Sequence, residues 1–167
     1  QPTSQQFENN LFEALSRFRK DQLIVVEDEN LDLGAVRLPF TLWQQMREAP
    51  LLQLNIPRAS RIRALIAEYS AVDDDLLLAG IKRLERRLGL EKAQQAIDAV
   101  QNANYLLATD LLLTYYDASY LASIRKRDAS TVYTIDLSGE EREDDVLRLI
   151  QTIRRIVREN ARRTPQR

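Results

Sequence analysis

Neither cysteine nor histidine occurs anywhere in the 167 residues. Their absence removes disulfides, thiolate nucleophiles, histidine general bases and the usual zinc ligand sets from the chemistry available here. A lack of disulfides is compatible with the cytosol, so a cytoplasmic location is expected. Glycine is scarce, and none of Gly34, Gly80, Gly89 and Gly139 sits in a G-x-x-x-x-G-K-[ST] phosphate loop. No apolar run reaches the roughly 20 residues that span a bilayer, and no signal peptide opens the chain, so no membrane partner is expected. Charge of one sign is lacking too: 24 Lys and Arg offset 25 Asp and Glu, for a net charge of −1. Binding to nucleic acid must therefore come from local basic patches.

What is present suffices for a core. The length suits one domain, or a domain with a small helical subdomain, burying roughly 70% of the surface that the unfolded chain exposes. Ser4 can cap a first helix carrying Phe7, Leu11, Leu15 and Phe18, with Lys20 near its end. Leu23 to Glu27 reads as a buried strand, followed by an irregular acidic stretch through Gly34 to Pro39. A short helix holds Leu42, Trp43 and Met46, and a second strand runs from Leu51 to Ile56, closed by Pro57. The pattern to this point alternates helix and strand, which argues for an α/β sheet with parallel neighbours.

Beyond Pro57 the periodicity is helical for about 70 residues. One stripe is Ile62, Leu65, Ile66 and Tyr69; a second is Leu77, Ile81, Leu84 and Leu88, ended by Gly89. Ala93, Ala96, Ile97 and Val100 make a weaker third, while Tyr105 to Tyr116 is apolar nearly all round and reads as a buried central helix. A third strand, Thr131 to Ile135, leads through an Asp136-Leu137-Ser138-Gly139 turn into a last helix from about Glu141. That helix carries Val146, Leu149, Ile150, Ile153, Ile156 and Val157, and its end from Ala161 to Arg167 is expected to fray.

Several constellations could carry chemistry. Glu27 and Asp28, with Glu29, stand at the end of an apolar strand, where acids can hold Mg²⁺ beside a nucleotide; solvated acids after a strand are the plainer reading. Arg58, Arg61 and Arg63 open a helix after a strand, and guanidinium forks match phosphate oxygens, though an exposed helix face also collects arginines. Lys82, Arg83, Arg86 and Arg87 form one basic helical face, and Arg125, Lys126 and Arg127 a second cluster. With Arg154, Arg155, Arg158, Arg162 and Arg163 they could bind an RNA backbone, or be ordinary solvated faces with Glu85, Asp128 and Glu159 nearby. Asp73, Asp74 and Asp75 read as the start of a helix and not as a metal site.

Taken in order, these segments resemble a known family. Gln1 through Asn9 looks like the segment after the phosphate loop in bacterial tRNA 2-selenouridine synthases. Val26-Glu27-Asp28-Glu29, Gly34 and Leu38-Pro39 resemble that family's acidic strand end, and Met46 to Pro50 its next helix and turn. Arg61 through Glu68-Tyr69, then Lys82-Arg83-Leu84 with Arg87-Leu88-Gly89, are similar to its R…EY helix and basic helix end. Tyr115-Tyr116-Asp117, Tyr120 and Lys126-Arg127 resemble its YYD…Y…KR region. The resemblance covers nearly the whole chain.

The resemblance implies a transferase that exchanges the sulfur of wobble 2-thiouridine in tRNA for selenium through a geranylated intermediate. A rhodanese-like domain with a catalytic cysteine precedes a P-loop domain in that family. This chain has neither that cysteine nor a phosphate loop, so both are expected upstream, and no catalytic residue is assigned within it. The start at Gln1-Pro2 instead of Met points the same way. The expected fold is α/β: a partial P-loop NTPase sheet of the kinase-like kind with an inserted, mainly helical subdomain. Its divisions are 1–57 for the partial α/β domain, 58–128 for the helical subdomain, and 129–167 for the return strand and last helix. In such sheets the strand feeding the phosphate loop lies between 23–27 and 51–56, so those edges are expected to need a missing segment or another chain. Glu27 and Asp28 would face Mg²⁺, and Arg58, Arg61 and Arg63 a nucleotide or diphosphate, in the complete protein; no cofactor is expected on this chain alone. The basic faces at 82–87 and 125–127 would meet tRNA. Two rival readings stay open: another P-loop ATPase or kinase, and a non-catalytic helical interaction module self-associating through 146–157.

Overall fold

The computed structural model describes residues 2–19, 21–69, 72–140 and 142–163, with side chains through Asn160. It divides into two compact units, Gln1–Leu51 and Leu52–Arg167.

In the first unit, α1 (Ser4–Ser16) is capped by Thr3 and not by Ser4: the Thr3 hydroxyl accepts from the Gln6 N–H at 3.2 Å. Phe7, Leu11 and Leu15 form its half-buried side, and the helix stops before Phe18, which is 48% exposed. Lys20 lies outside the described residues. The strand expected over 23–27 is not formed. The segment is irregular, and Leu23, Ile24, Val25 and Val26 are 58%, 42%, 68% and 58% exposed. β-propensity alone does not make a strand: the backbone needs a partner edge to bond its N–H and C=O groups, and among the described residues no strand pairs with it. The stretch read as irregular holds instead a small hairpin, β1 (Asp32–Leu33) and β2 (Val36–Arg37), antiparallel with Asp32 opposite Arg37. Gly34 supplies the positive φ of 67° that its tight turn needs, and Arg37 donates to Asp32 across it at 2.6 Å. α2 (Phe40–Glu48) follows, with Phe40 and Trp43 stacked at 6.0 Å.

β3 (Leu51–Asn55) leads into the second unit and pairs with β4 (Val132–Asp136). The Leu137 N–H donates to the Asn55 carbonyl at 3.0 Å, so the two carboxyl ends adjoin and the strands run parallel. A parallel pair needs a long crossover. Here it is four helices: α3 (Arg58–Tyr69), α4 (Asp74–Leu88), α5 (Leu90–Gln101) and α6 (Tyr105–Ile124). The α4 start is capped as the acidic run suggested, Asp73 accepting from the Asp75 N–H at 2.9 Å. Tyr105 at the start of α6 donates to Asp74 at 3.0 Å. α7 (Glu143–Arg163) follows β4 and a short loop.

The core joins Ile81 and Leu88 of α4, Ala93, Ala96, Ala99 and Val100 of α5, and Ala108 of α6. The stripe that looked weakest by hydropathy is thus the most buried, because alanine lets neighbouring helices approach closely. The helix expected to be buried all round is not: on α6 only Ala108 and Leu113 are buried, while Leu106 is 63% and Tyr120 51% exposed. α3, α4 and α5 pack against only part of its circumference. Among the described residues, no helix is long and apolar enough to cross a membrane.

Candidate functional site

In parallel α/β sheets, ligands gather outside the carboxyl ends of the strands. Here Asn55 ends β3 and Asp136 ends β4, joined by a side-chain hydrogen bond of 2.5 Å from Asn55 Nδ2 to Asp136 Oδ1. Immediately beyond, α3 begins after Pro57. Its buried Ser60 donates from Oγ to the Ser138 carbonyl at 3.3 Å and accepts from Arg63 Nη2 at 3.0 Å. Gly139 completes the contact at φ 72°: a Cβ there would lie 2.5 Å from Ile56 Cγ2 and 2.7 Å from Ser60 Cβ. Ser138 gives both its N–H (2.7 Å) and its hydroxyl (2.5 Å) to Asp145 Oδ2 in the first turn of α7. The Ser138 hydroxyl, more than the Ser138 amide and the nearby Arg148 and Arg142, holds the Asp145 carboxyl below the usual aspartate range.

The three arginines at the start of α3 do not point into an empty crevice. Arg58 donates from Nε to Asp110 Oδ1 (2.6 Å), from Nη1 to Asp117 Oδ2 (3.2 Å), and from Nη2 to the Asp110 carbonyl (2.6 Å) and Thr114 Oγ1 (2.8 Å). Arg61 Nη2 donates to the other Asp117 oxygen at 2.5 Å. Arg58 and Arg61 are therefore brought together by one carboxylate and bind α3 to α6. The hydrogen bond to Asp110 raises the Arg58 pKa further above its ordinary value. Most of the Arg58 donors are taken, so a phosphate would have to displace aspartate oxygens there, whereas Arg61 gives one N–H donor to Asp117 and is 32% exposed.

Glu27 is exposed on the unpaired segment of the first unit, and half-buried Asp28 faces Arg47 at 3.5 Å. No group of three or more acidic side chains among the described residues is placed to share a metal ion. Mg²⁺ demands an octahedron of oxygens, which this pair of acids does not assemble. The residues present do not fit a preformed Mg²⁺ site, and no chemical step is assigned to the ion.

The basic patches differ from the other arginines in their partners. Arg17, Arg19, Arg37 and Arg47 face Glu13, Asp21, Asp32 and Asp28. Lys82, Arg83, Arg86 and Arg87 are all exposed on one side of α4, and among the described residues none is ion-paired. Arg125 and Lys126 are exposed just past the end of α6, with Arg127 half-buried beside them. On α7, Arg154, Arg155 and Arg158 line an open groove of about 410 Å³ with Gln151 and Glu159. The side chains of Arg162 and Arg163 lie outside the described residues.

Reading the sequence missed Asp110 and Asp117 as partners of Arg58 and Arg61. A signal existed: Asp110 is the one charge inside the apolar run 105–116, and an acid on such a helix calls for a cation. Which cation, 52 residues away, no local pattern states. The bridge from Ser60 through Ser138 to Asp145 was equally invisible, because its members lie on three elements.

A family profile describing the tRNA 2-selenouridine synthase AAA domain matches residues 1–152. The chain belongs to that family. A tRNA 2-selenouridine synthase of Marinobacter nauticus is 35% identical over 152 residues, covering 72% of this chain and 41% of that protein. The synthase of Hydrogenovibrio crunogenus is 30% identical over 83% of this chain and 44% of its own length, and that of Alcanivorax borkumensis 29% over 80% and 45%. The chain thus spans less than half the length of these synthases. No solved structure matches it. The profile reaches into α7, so both units carry the family pattern.

Proposed function

We propose that this chain is the tRNA-handling α/β part of a 2-selenouridine synthase-like enzyme that replaces the wobble sulfur of 2-thiouridine by selenium through a geranylated intermediate. In this reading the P-loop-type sheet is completed, and the sulfur chemistry supplied, by other parts of an enzyme as long as its relatives. The chain itself offers no thiol and no imidazole, so its residues bind and orient RNA and do not form bonds to sulfur. The helices inserted between β3 and β4 present the basic α4 face, and the Arg125–Arg127 cluster sits on the return to the sheet.

The observation that carries this reading is the exposed α4 face of Lys82, Arg83, Arg86 and Arg87, unpaired among the described residues. In a chain of net charge −1, cations left without carboxylates are the ones available to displace counterions from phosphates. Arg58, Arg61 and Arg63 are the assigned contacts for a diphosphate or nucleotide; Asp110 and Asp117 then compete with that ligand.

Replacing Arg83 and Arg87 by glutamate tests the reading. tRNA affinity is expected to fall about tenfold or more near 0.1 M salt, with a flatter salt dependence. An unchanged affinity and slope would remove the α4 face from the interface.

A further inference from the structure

Arg154, Arg155 and Arg158 of the α7 groove lie past residue 152, where the family match ends, so the match does not cover them. Arg154, Arg155 and Arg158 fall within about 100° of arc on the side of α7 turned away from buried Ile156. Packing therefore does not explain them. Nor does the helix dipole, whose pull on cations is confined to the last turn, because α7 continues to Arg163. None of the three is ion-paired among the described residues, although Glu159 lines the same groove. By contrast Arg148, nearer the start of α7, does face a carboxylate, that of Asp145 at 3.8 Å.

From this geometry we propose that the α7 groove is a second phosphate-backbone subsite for the same folded RNA, separate from the α4 face. The chemistry selects the ligand class. Three planar guanidinium groups, about 6 Å apart along the axis between Arg154 and Arg158, present repeated forks for phosphate oxygens. All of the groove's described lining comes from one helix, so nothing among the described residues folds over a small anion. An extended polyanion can lie along such a face and meet several guanidinium groups at once. Gln151 adds an amide able to reach a ribose hydroxyl or a phosphate oxygen. This subsite rests on the proposed RNA-binding role of the chain, and the test separates the two.

The test compares binding of fluorescently labelled bulk tRNA across a salt series for four proteins: the native chain, Arg154→Gln/Arg158→Gln, Arg83→Glu/Arg87→Glu, and Arg17→Gln/Arg37→Gln. The last pair removes the same charge as the groove variant from arginines already neutralised by Glu13 and Asp32. The groove variant is expected to bind about tenfold more weakly and to lower the log–log salt slope by about 1.5, as loss of two phosphate contacts requires. The Arg17/Arg37 variant is expected to match the native chain. If Arg154→Lys/Arg158→Lys keeps most of the native affinity, a charge contact is supported over a lost fold. A groove variant that binds like the native chain, while the Arg83/Arg87 variant is weakened, overturns the subsite and leaves the RNA-binding role standing. If both variants bind like the native chain, the role and the subsite fall together. Equal weakening by the Arg17/Arg37 variant would mark a net-charge effect and overturn the groove. Tripolyphosphate that binds the native chain and not the groove variant, while tRNA binds both equally well, would identify a small-anion site and overturn the RNA assignment.

Discussion

Gly139 sits where a methyl group has no room. Its φ of 72° suits glycine, and a Cβ would meet Ile56 and Ser60 closer than any ordinary contact. Gly139→Ala is expected to destabilise the second unit by about 2–4 kcal/mol, from left-handed backbone strain plus the clash; denaturant unfolding checks it. A neighbouring contact sets a pH dependence. Hydrogen bonds from Ser138 lower the folded pKa of Asp145, so the stabilisation is present above the unfolded value of about 3.9 and is lost as pH falls below it. Melting temperatures from pH 5 to pH 3 should therefore decline less steeply for Asp145→Asn than for the native chain. Parallel declines would show that the Ser138–Asp145 contact adds nothing.

At the scale of elements, α3 is fastened to α6 by Arg58, Arg61, Asp110 and Asp117. These side chains are roughly a third exposed, Arg61 and Asp117 each 32%. Water therefore screens them, and Asp117→Asn should cost only about 1 kcal/mol. The same change frees Arg61, so a diphosphate competing for that side chain should bind more tightly to the variant, as isothermal titration with pyrophosphate would read. Weaker binding would mean that Asp117 orients the arginines for the ligand instead of competing with it. α5 makes the opposite kind of contact. Ala96 is fully buried, and Ala96→Leu should destabilise by about 1–3 kcal/mol through overpacking. The helices were legible in the sequence because their caps and stripes are local: Asp73 before α4, Gly89 after it, and the 77-81-84-88 spacing. The 23–27 segment was misread because strand formation depends on a partner edge, which no property of Leu23 to Glu27 supplies. α6 was misread in the same way, since apolar composition fixes what a helix prefers and not how many neighbours reach it.

For the molecule as a whole, the candidate site divides along the same line. The basic faces could be read directly, because side chains four apart on a helix share a side whatever else the chain does. That the α4 cations are unpaired among the described residues, while Arg58 and Arg61 are taken up by aspartates more than 50 residues away, depends on tertiary structure. The family pattern, spread over both units, survived because it rests on the order and spacing of short segments and not on any one contact.

The most direct measurement is the equilibrium affinity of the native chain for tRNA as a function of salt. Engagement of the α4 face and the α7 groove together predicts saturable binding and a log–log slope of about −3 or steeper, at roughly 0.7 to 0.9 per phosphate contact. A chain that binds no tRNA, or binds it with a slope near zero, would contradict the central claim.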